Sequence, residues 1–219
     1  MRQIALDTET TGLLCYDGHR IIELGCVELI DRKITGKIFH SYLNPNRKID
    51  PIAKDITGLN ENFLQSKPEF SHIVNDFFDF IDKSDELIIH NAIFDINFIN
   101  NELHLVNFKI NDIRKHFKIF DTLTFSRKKH PGKKNNLDAL CRRYNIDNRE
   151  RSVHGALIDA ELLAKVYLAM TSNQNELGYI RDFNVTNIFC DLHVETLKAN
   201  VQDVKKHVAF LRDIKQHVL

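Results

Sequence analysis

The chain has 219 residues, enough for one α/β domain with a sizeable core and a short appendage. Its 30 Lys and Arg balance its 30 Asp and Glu, which excludes a global basic field for gripping duplex nucleic acid; any such contact must come from a local patch or from metal ions. No apolar stretch approaches the ~20 residues of a membrane span, and the first apolar run, Ile4-Ala5-Leu6, stops at Asp7, so neither a membrane anchor nor a signal peptide is expected.

Cysteines stand at positions 15, 26, 141 and 190 and form no CxxC pair. They are read as reduced thiols of a cytoplasmic protein, not as a disulfide framework or a zinc site.

Residues 2–9 read as a short buried strand, ended by the Thr-Thr-Gly turn signal at 10–12. Residues 21–30 and 33–43 read as two more strands, joined by a tight polar turn at Asp31-Arg32. Asp50-Pro51 has the form of a helix N-cap followed by proline at the first helical position. Beyond Pro68, Phe70, Ile73, Val74, Phe77, Phe78 and Ile81 recur at helical spacing. Residues 87–90 read as a buried strand and 94–103 as a helix. Residues 121–129 and 136–144 read as helices separated by Pro131-Gly132, and 156–170 as a long helix rich in Ala, Leu and Glu. A strand meander followed by helix, strand and helices predicts a mixed α/β sheet flanked by helices on both faces.

The character changes after Met170. Residues 171–178 are polar and read as a linker. Beyond it, Leu197, Val201, Val204, Val208 and Leu211 form an apolar stripe of two heptads. So short a stripe needs a surface to dock on, either the parent domain or a partner.

Three segments carry candidate chemistry. Asp7 and Glu9 stand two apart on the first strand and so project to one face. Adjacent buried carboxylates repel, and the pairing makes sense around a hard divalent cation such as Mg²⁺ or Mn²⁺. By itself D-x-E is common. Asp95 follows the strand at 87–90, where a carboxylate either caps a helix or points into a site at the strand's carboxyl end. His154 precedes the last long helix and Asp159 lies just over one turn inside it, so both can reach one cleft. An imidazole can accept a proton from water at neutral pH.

In order, the segments spell D-x-E, H-N-A-x-F-D and H-x-A-x-x-D. This resembles the DEDDh family of 3′–5′ exonucleases, and within it the proofreading epsilon subunits of bacterial DNA polymerase III. The likeness extends over LDTETTG (6–12), GHRIIELGCVE (18–28), LIIHNAIFDINF (87–98), PGKKNNLDALCRRYNIDN (131–148) and HGALIDAELLAKVYLAMT (154–171). It implies a ribonuclease-H-like mixed sheet with a short C-terminal helical tail. It also implies an exonuclease domain over 1–171, a linker over 172–189 and a polymerase-binding tail over 190–219.

The resemblance further implies two divalent cations, Mg²⁺ or Mn²⁺, held by Asp7, Glu9, Asp159 and Asp95, with His154 as general base. The substrate would be a single-stranded or frayed 3′ DNA end, cut to 5′-mononucleotides. Asp7, Glu9, Thr10, Leu13 and Asp159 would touch it, Leu13 as a wedge against the terminal base; core packing is the alternative for Leu13. The segment 50–59 departs from the pattern: many relatives carry Glu and His where this chain has Ile52 and Thr57, which weakens substrate contacts expected there.

Arg127–Lys134 is the dense basic cluster, read either as a phosphate-attracting patch or as a solvated loop. Gln174, Leu177 and Tyr179 match a Q-x-x-L-x-[FY] peptide similar to those that bind the bacterial sliding clamp. The polymerase III alpha subunit is the partner expected for the tail, and a theta-like subunit a further one. Two rival readings share the same five residues: a stand-alone exonuclease acting on RNA or short oligonucleotides, and a catalytically silent scaffold between polymerase and clamp.

Overall fold

The computed structural model describes residues 1–149 and 154–172. The chain divides into two units, Met1–Asn173 and Gln174–Leu219. The apolar stripe, the clamp-like peptide and the 190–219 tail all fall outside the described residues.

Five strands form one sheet: β1 (Arg2–Thr10), β2 (Ile21–Ile30), β3 (Lys33–Tyr42), β4 (Glu86–Ile89) and β5 (Lys118–Asp121). Their order is β3-β2-β1-β4-β5. The first three make an antiparallel meander, and β1, β4 and β5 run parallel. The β2–β3 turn lies at Asp31-Arg32, both with positive φ (47° and 63°), the backbone that matches the strand twist of a two-residue hairpin. The mixed sheet flanked by helices is the architecture expected from the element order.

Side chains on β1 alternate between two cores. Ile4 and Leu6 join the first, which contains helix α3 (Phe70–Ile81) and helix α4 (Ala92–Leu105). Ala5 joins the second, formed with α6 (Leu137–Arg143) and α7 (Ala156–Thr171). All six periodic residues of α3 are buried. Each such side chain contributes about 1.5–3 kcal/mol of burial, so the stripe, not intrinsic propensity, holds this helix in place.

Among the α-helices and strands, two escaped the pattern reading, and a third was legible at its start but not along its length. Helix α1 (Pro51–Thr57) was visible only at its start, and α2 (Glu61–Leu64) is a single turn. Strand β5 has only four residues, two of them apolar and adjacent, too few to show a period, and it is held by its pairing with β4. Helix α4 begins at Ala92, two residues before the expected start, and α5 (Thr122–Lys129) begins one residue after Asp121, its N-cap. Among the described residues no helix is long and apolar enough to cross a membrane. What matters for chemistry is that β1 and β4 are parallel and adjacent, so their carboxyl ends open on the same edge of the sheet.

Candidate active site

The site forms at the end of β1. Asp7 and Glu9 share the Ala5 face, turned toward α7, while Thr8 faces α4. Across the ladder, Asp7 pairs with Gly25 and Glu9 with Glu23. A Cβ on Gly25 would lie 2.4 Å from the backbone of Ala156 and Leu157. The missing side chain therefore lets the first turn of α7 press directly onto β2. Asp159, in that turn, is buried against the strand end. A carboxylate there is also favoured by the helix dipole.

Asp95 arrives from the opposite face. It lies in the first turn of α4 and does not cap that helix; Asn91 occupies the N-cap in a left-handed conformation (φ 66°). Asp95 Oδ1 instead accepts from the Thr8 backbone N–H (3.0 Å) and the Thr8 hydroxyl (2.7 Å). Two bonds fix its carboxylate to the strand between the two other acids.

His154 closes the group. Its Nδ1 is 3.2 Å from Asp159 Oδ2 and 4.0 Å from Glu9 Oε1. Its backbone N–H donates to Ile56 O (3.0 Å), tying this loop to α1. Asp7, Glu9, Asp95, His154 and Asp159, drawn from four segments, line one cleft of about 350 Å³.

The electrostatics of the cleft disfavour its own negative charge. Burial, and then the Asp159 carboxylate, push Glu9 from an ordinary value of 4.5 up to about 8, against the pull of His154. Burial lifts Asp95 from 3.8 to about 7, although the Thr8 bonds resist. Both shifts run against the ionised forms, the forms that would hold a cation. A surface ion pair supplies about 0–1 kcal/mol, too little to explain keeping such a cluster. The donor set fits a divalent cation: ligand atoms of Glu9, His154 and Asp159 lie within 4.8 Å of one another, and the carboxylate oxygens suit a hard ion.

The expected substrate residues divide. Thr10 is buried, and its hydroxyl donates to Gly12 O (2.7 Å), shaping the turn. Leu13 is 78% exposed, which removes the core-packing alternative for it, and Ile52 is 74% exposed. Both line a second, more apolar pocket of about 190 Å³ that adjoins the cleft and shares Thr8, Glu9 and Phe94 with it. Thr57 also borders this pocket, but its hydroxyl is engaged locally, donating to Ala53 O and accepting from the Leu59 N–H. Gln174, Leu177 and Tyr179 lie outside the described residues.

The basic cluster is partly structural. The Lys129 ammonium donates to the Met170 carbonyl, and the His130 ring bonds the Tyr144 hydroxyl (2.8 Å). Two residues of the site went unmarked in the sequence. Gly25 carried a usable signal, since a lone glycine inside a strand marks close backbone approach. Thr8 carried none, because its role depends on a contact with residue 95.

Comparison with known proteins agrees with this geometry. The family model described as Exonuclease (RNase T) matches residues 4–167. DNA polymerase III subunit epsilon of Buchnera aphidicola subsp. Schizaphis graminum is 45% identical over 98% of this chain and 97% of its own length. The Escherichia coli K12 protein of the same name is 48% identical over 81% of this chain and 74% of its own. Among solved structures, Exonuclease X in complex with 5′ overhanging duplex DNA superposes with a TM-score of 0.58 at 25% identity, covering 81% of this chain and 93% of that one. The nuclease domain of 3′hExo, a DEDDh family member bound to rAMP, shares the fold at TM-score 0.61 and 20% identity, over 77% and 90% of the two chains. The chain belongs to the exonuclease family, on the branch formed by the epsilon subunits of DNA polymerase III.

Proposed function

We propose that this exonuclease proofreads newly made DNA, removing mispaired nucleotides from the 3′ end as 5′-mononucleotides within the DNA polymerase III assembly. The observation that carries the reading is the convergence of Asp7, Glu9, Asp95, His154 and Asp159 on one cleft beside an apolar pocket. Asp7, Glu9 and Asp159 would hold one divalent cation, and Asp7 with Asp95 a second, as Mg²⁺ or Mn²⁺. When bound, such ions supply the positive charge that activates water and offsets the charge on the leaving 3′ oxygen.

The chain's own residues do the rest. Thr8 fixes the Asp95 carboxylate. Asp159 and Glu9 orient the His154 imidazole, which takes the proton from the attacking water. Leu13 and Ile52 offer apolar faces to the terminal base, a contact tolerant of every base because each has a π-face. Such a pocket favours a frayed end over a paired one, since a stacked base cannot enter it.

Residues beyond 172 would bring this site to the primer end: Gln174, Leu177 and Tyr179 on the sliding clamp, and 190–219 on the alpha subunit. A theta-like subunit would be a further partner. The protein would act in the cytoplasm, where replication takes place.

The test is direct. Purified full-length protein with Mg²⁺ should shorten DNA carrying a 3′ mismatch faster than fully paired DNA, and chelator should stop it. A preference for RNA would favour the stand-alone reading, and inertness toward both the scaffold reading. Deleting 172–219 should spare trimming while abolishing co-elution with the alpha subunit; retained co-elution would refute the docking role.

A further inference from the structure

His19 lies at the head of the strand-bound segment GHRIIELGCVE, and the catalytic reading gives this histidine no role. We infer that His19 is a positioning residue that joins the two walls of the 3′-terminal nucleotide pocket from behind. The inference rests on the functional reading above.

One wall of that pocket is the turn after β1, with Thr10, Gly12 and Leu13. The other is α1 and its N-cap, with Asp50, Ile52 and Ile56. His19, 9% exposed, contacts both. Its Nδ1 lies 3.0 Å from the Thr11 hydroxyl, and its Nε2 lies 3.5 Å from Asp50 Oδ2. The Thr11 oxygen already accepts from the Arg20 N–H (3.0 Å), so the hydroxyl hydrogen can be given to Nδ1. The Nε2 side of the ring then faces the Asp50 carboxylate.

Two further observations fit a built connection. Asp50 stands at the N-cap of α1, yet its side chain makes no capping bond. Its carboxylate is turned to the imidazole instead, while its backbone N–H donates to Thr11 O (2.9 Å). The ring also occupies the space that a side chain on residue 12 would need: a Cβ on Gly12 would lie 2.3 Å from His19 Cε1. Gly12, Thr11 and Asp50 thus form three sides of a slot filled by one imidazole. Removing the ring leaves a single backbone bond between the walls and lets Leu13 and Ile52 drift apart.

A wall that moves should weaken holding of the nucleotide more than the chemical step. The experiment uses the full chain with Mg²⁺, a 5′-labelled single-stranded DNA, and thymidine 5′-monophosphate as competing product. For His19→Ala we expect KM and the inhibition constant of the mononucleotide both to rise about tenfold, with kcat within about twofold of wild type. His19→Gln, whose amide can still donate to Asp50, should recover most of the loss. Asp50→Ala should raise KM in the same way, and the double variant should be no worse than His19→Ala alone, since both act through one contact.

Melting temperatures separate this outcome from misfolding. Should His19→Ala fail to fold, Asp50→Ala decides the matter, because its side chain is 52% exposed and makes no cap bond. A folded variant with unchanged KM and inhibition constant would overturn the inference, as would a fall in kcat at unchanged KM. A wild-type chain inert on DNA would instead overturn the functional reading itself.

Discussion

The carboxylate cleft and the apolar pocket beside it share a wall but are made differently. The cleft is assembled from a strand end, the first turns of α4 and α7, and the loop that leads into α7, and Asp95 and Asp159 in it are buried. The pocket is lined by a turn and the seven-residue helix α1, and its most prominent side chains, Leu13 and Ile52, project into solvent. On the proposed function, chemistry on a phosphodiester demands groups held within fractions of an ångström, which rigid elements provide. Holding a base, the role proposed for the pocket, would demand only an apolar face of suitable width, which turns can provide. The contrast implies that substitutions in the cleft should act on kcat and those in the pocket on KM.

The strongest test of that division is Asp7→Ala. It should lower kcat by about 10⁴-fold, a larger effect than on KM, because losing a ligand shared by both cations would remove the water activation and leaving-group stabilisation they supply. Activity retained within about tenfold would remove Asp7 from the machinery. His154→Ala should cost about 10²–10⁴ in kcat, as expected for loss of a general base. If its effect fell on KM instead, His154 would belong with the pocket.

Gly25→Ala probes the cleft without touching any chemical group. The new Cβ would meet the α7 backbone at 2.4 Å, so the helix must shift and carry Asp159 with it. Overpacking of this kind costs about 1–3 kcal/mol, visible as a lower melting temperature. A displacement near 1 Å would also cut kcat by about 10²-fold. A variant with wild-type stability and rate would show that close approach of α7 to β2 is not what places Asp159.

Cation binding should be visible without turnover. Because the cleft opposes ionisation of Glu9 and Asp95, an ion that binds only the folded chain should stabilise it, by about 2.7 kcal/mol at a hundredfold excess over Kd. Thermal melts with Mn²⁺ and with chelator should therefore differ by several degrees, and Asp7→Ala should abolish the difference. Equal melting curves for the wild type would argue against a cation site in this cleft.

The same division explains what could be read in the sequence. That Asp7, Glu9, Asp95, His154 and Asp159 would meet in one cleft was legible because each is a chemically costly residue placed near a strand end or a helix start. Helix α3 and the β2–β3 hairpin were legible because period and turn chemistry are local. Strand β5 was not, since its four residues gain strand character only from β4. The bonds from Thr8 to Asp95 and from His19 to Thr11, and the approach of His19 to Asp50, were equally hidden, because each depends on how the segments fold together. Asp50 shows the limit most clearly: its N-cap position was readable, but not that its carboxylate would leave the cap unmade and lie 3.5 Å from a histidine thirty-one residues earlier.

Leu13 gives the mildest test and bears most directly on the pocket. With 78% of its surface exposed it contributes little to folding, so Leu13→Ala should leave the melting temperature within about 1 °C of wild type. Its loss removes an apolar face from the base, and KM should rise about three- to tenfold with kcat unchanged. The effect should be similar for all four terminal bases, because the lining around Leu13 and Ile52 is predominantly apolar. A kcat effect would mean that Leu13 aligns the scissile bond and belongs functionally to the cleft. A loss confined to one terminal base would mean that the pocket reads base identity, which an apolar face alone cannot do.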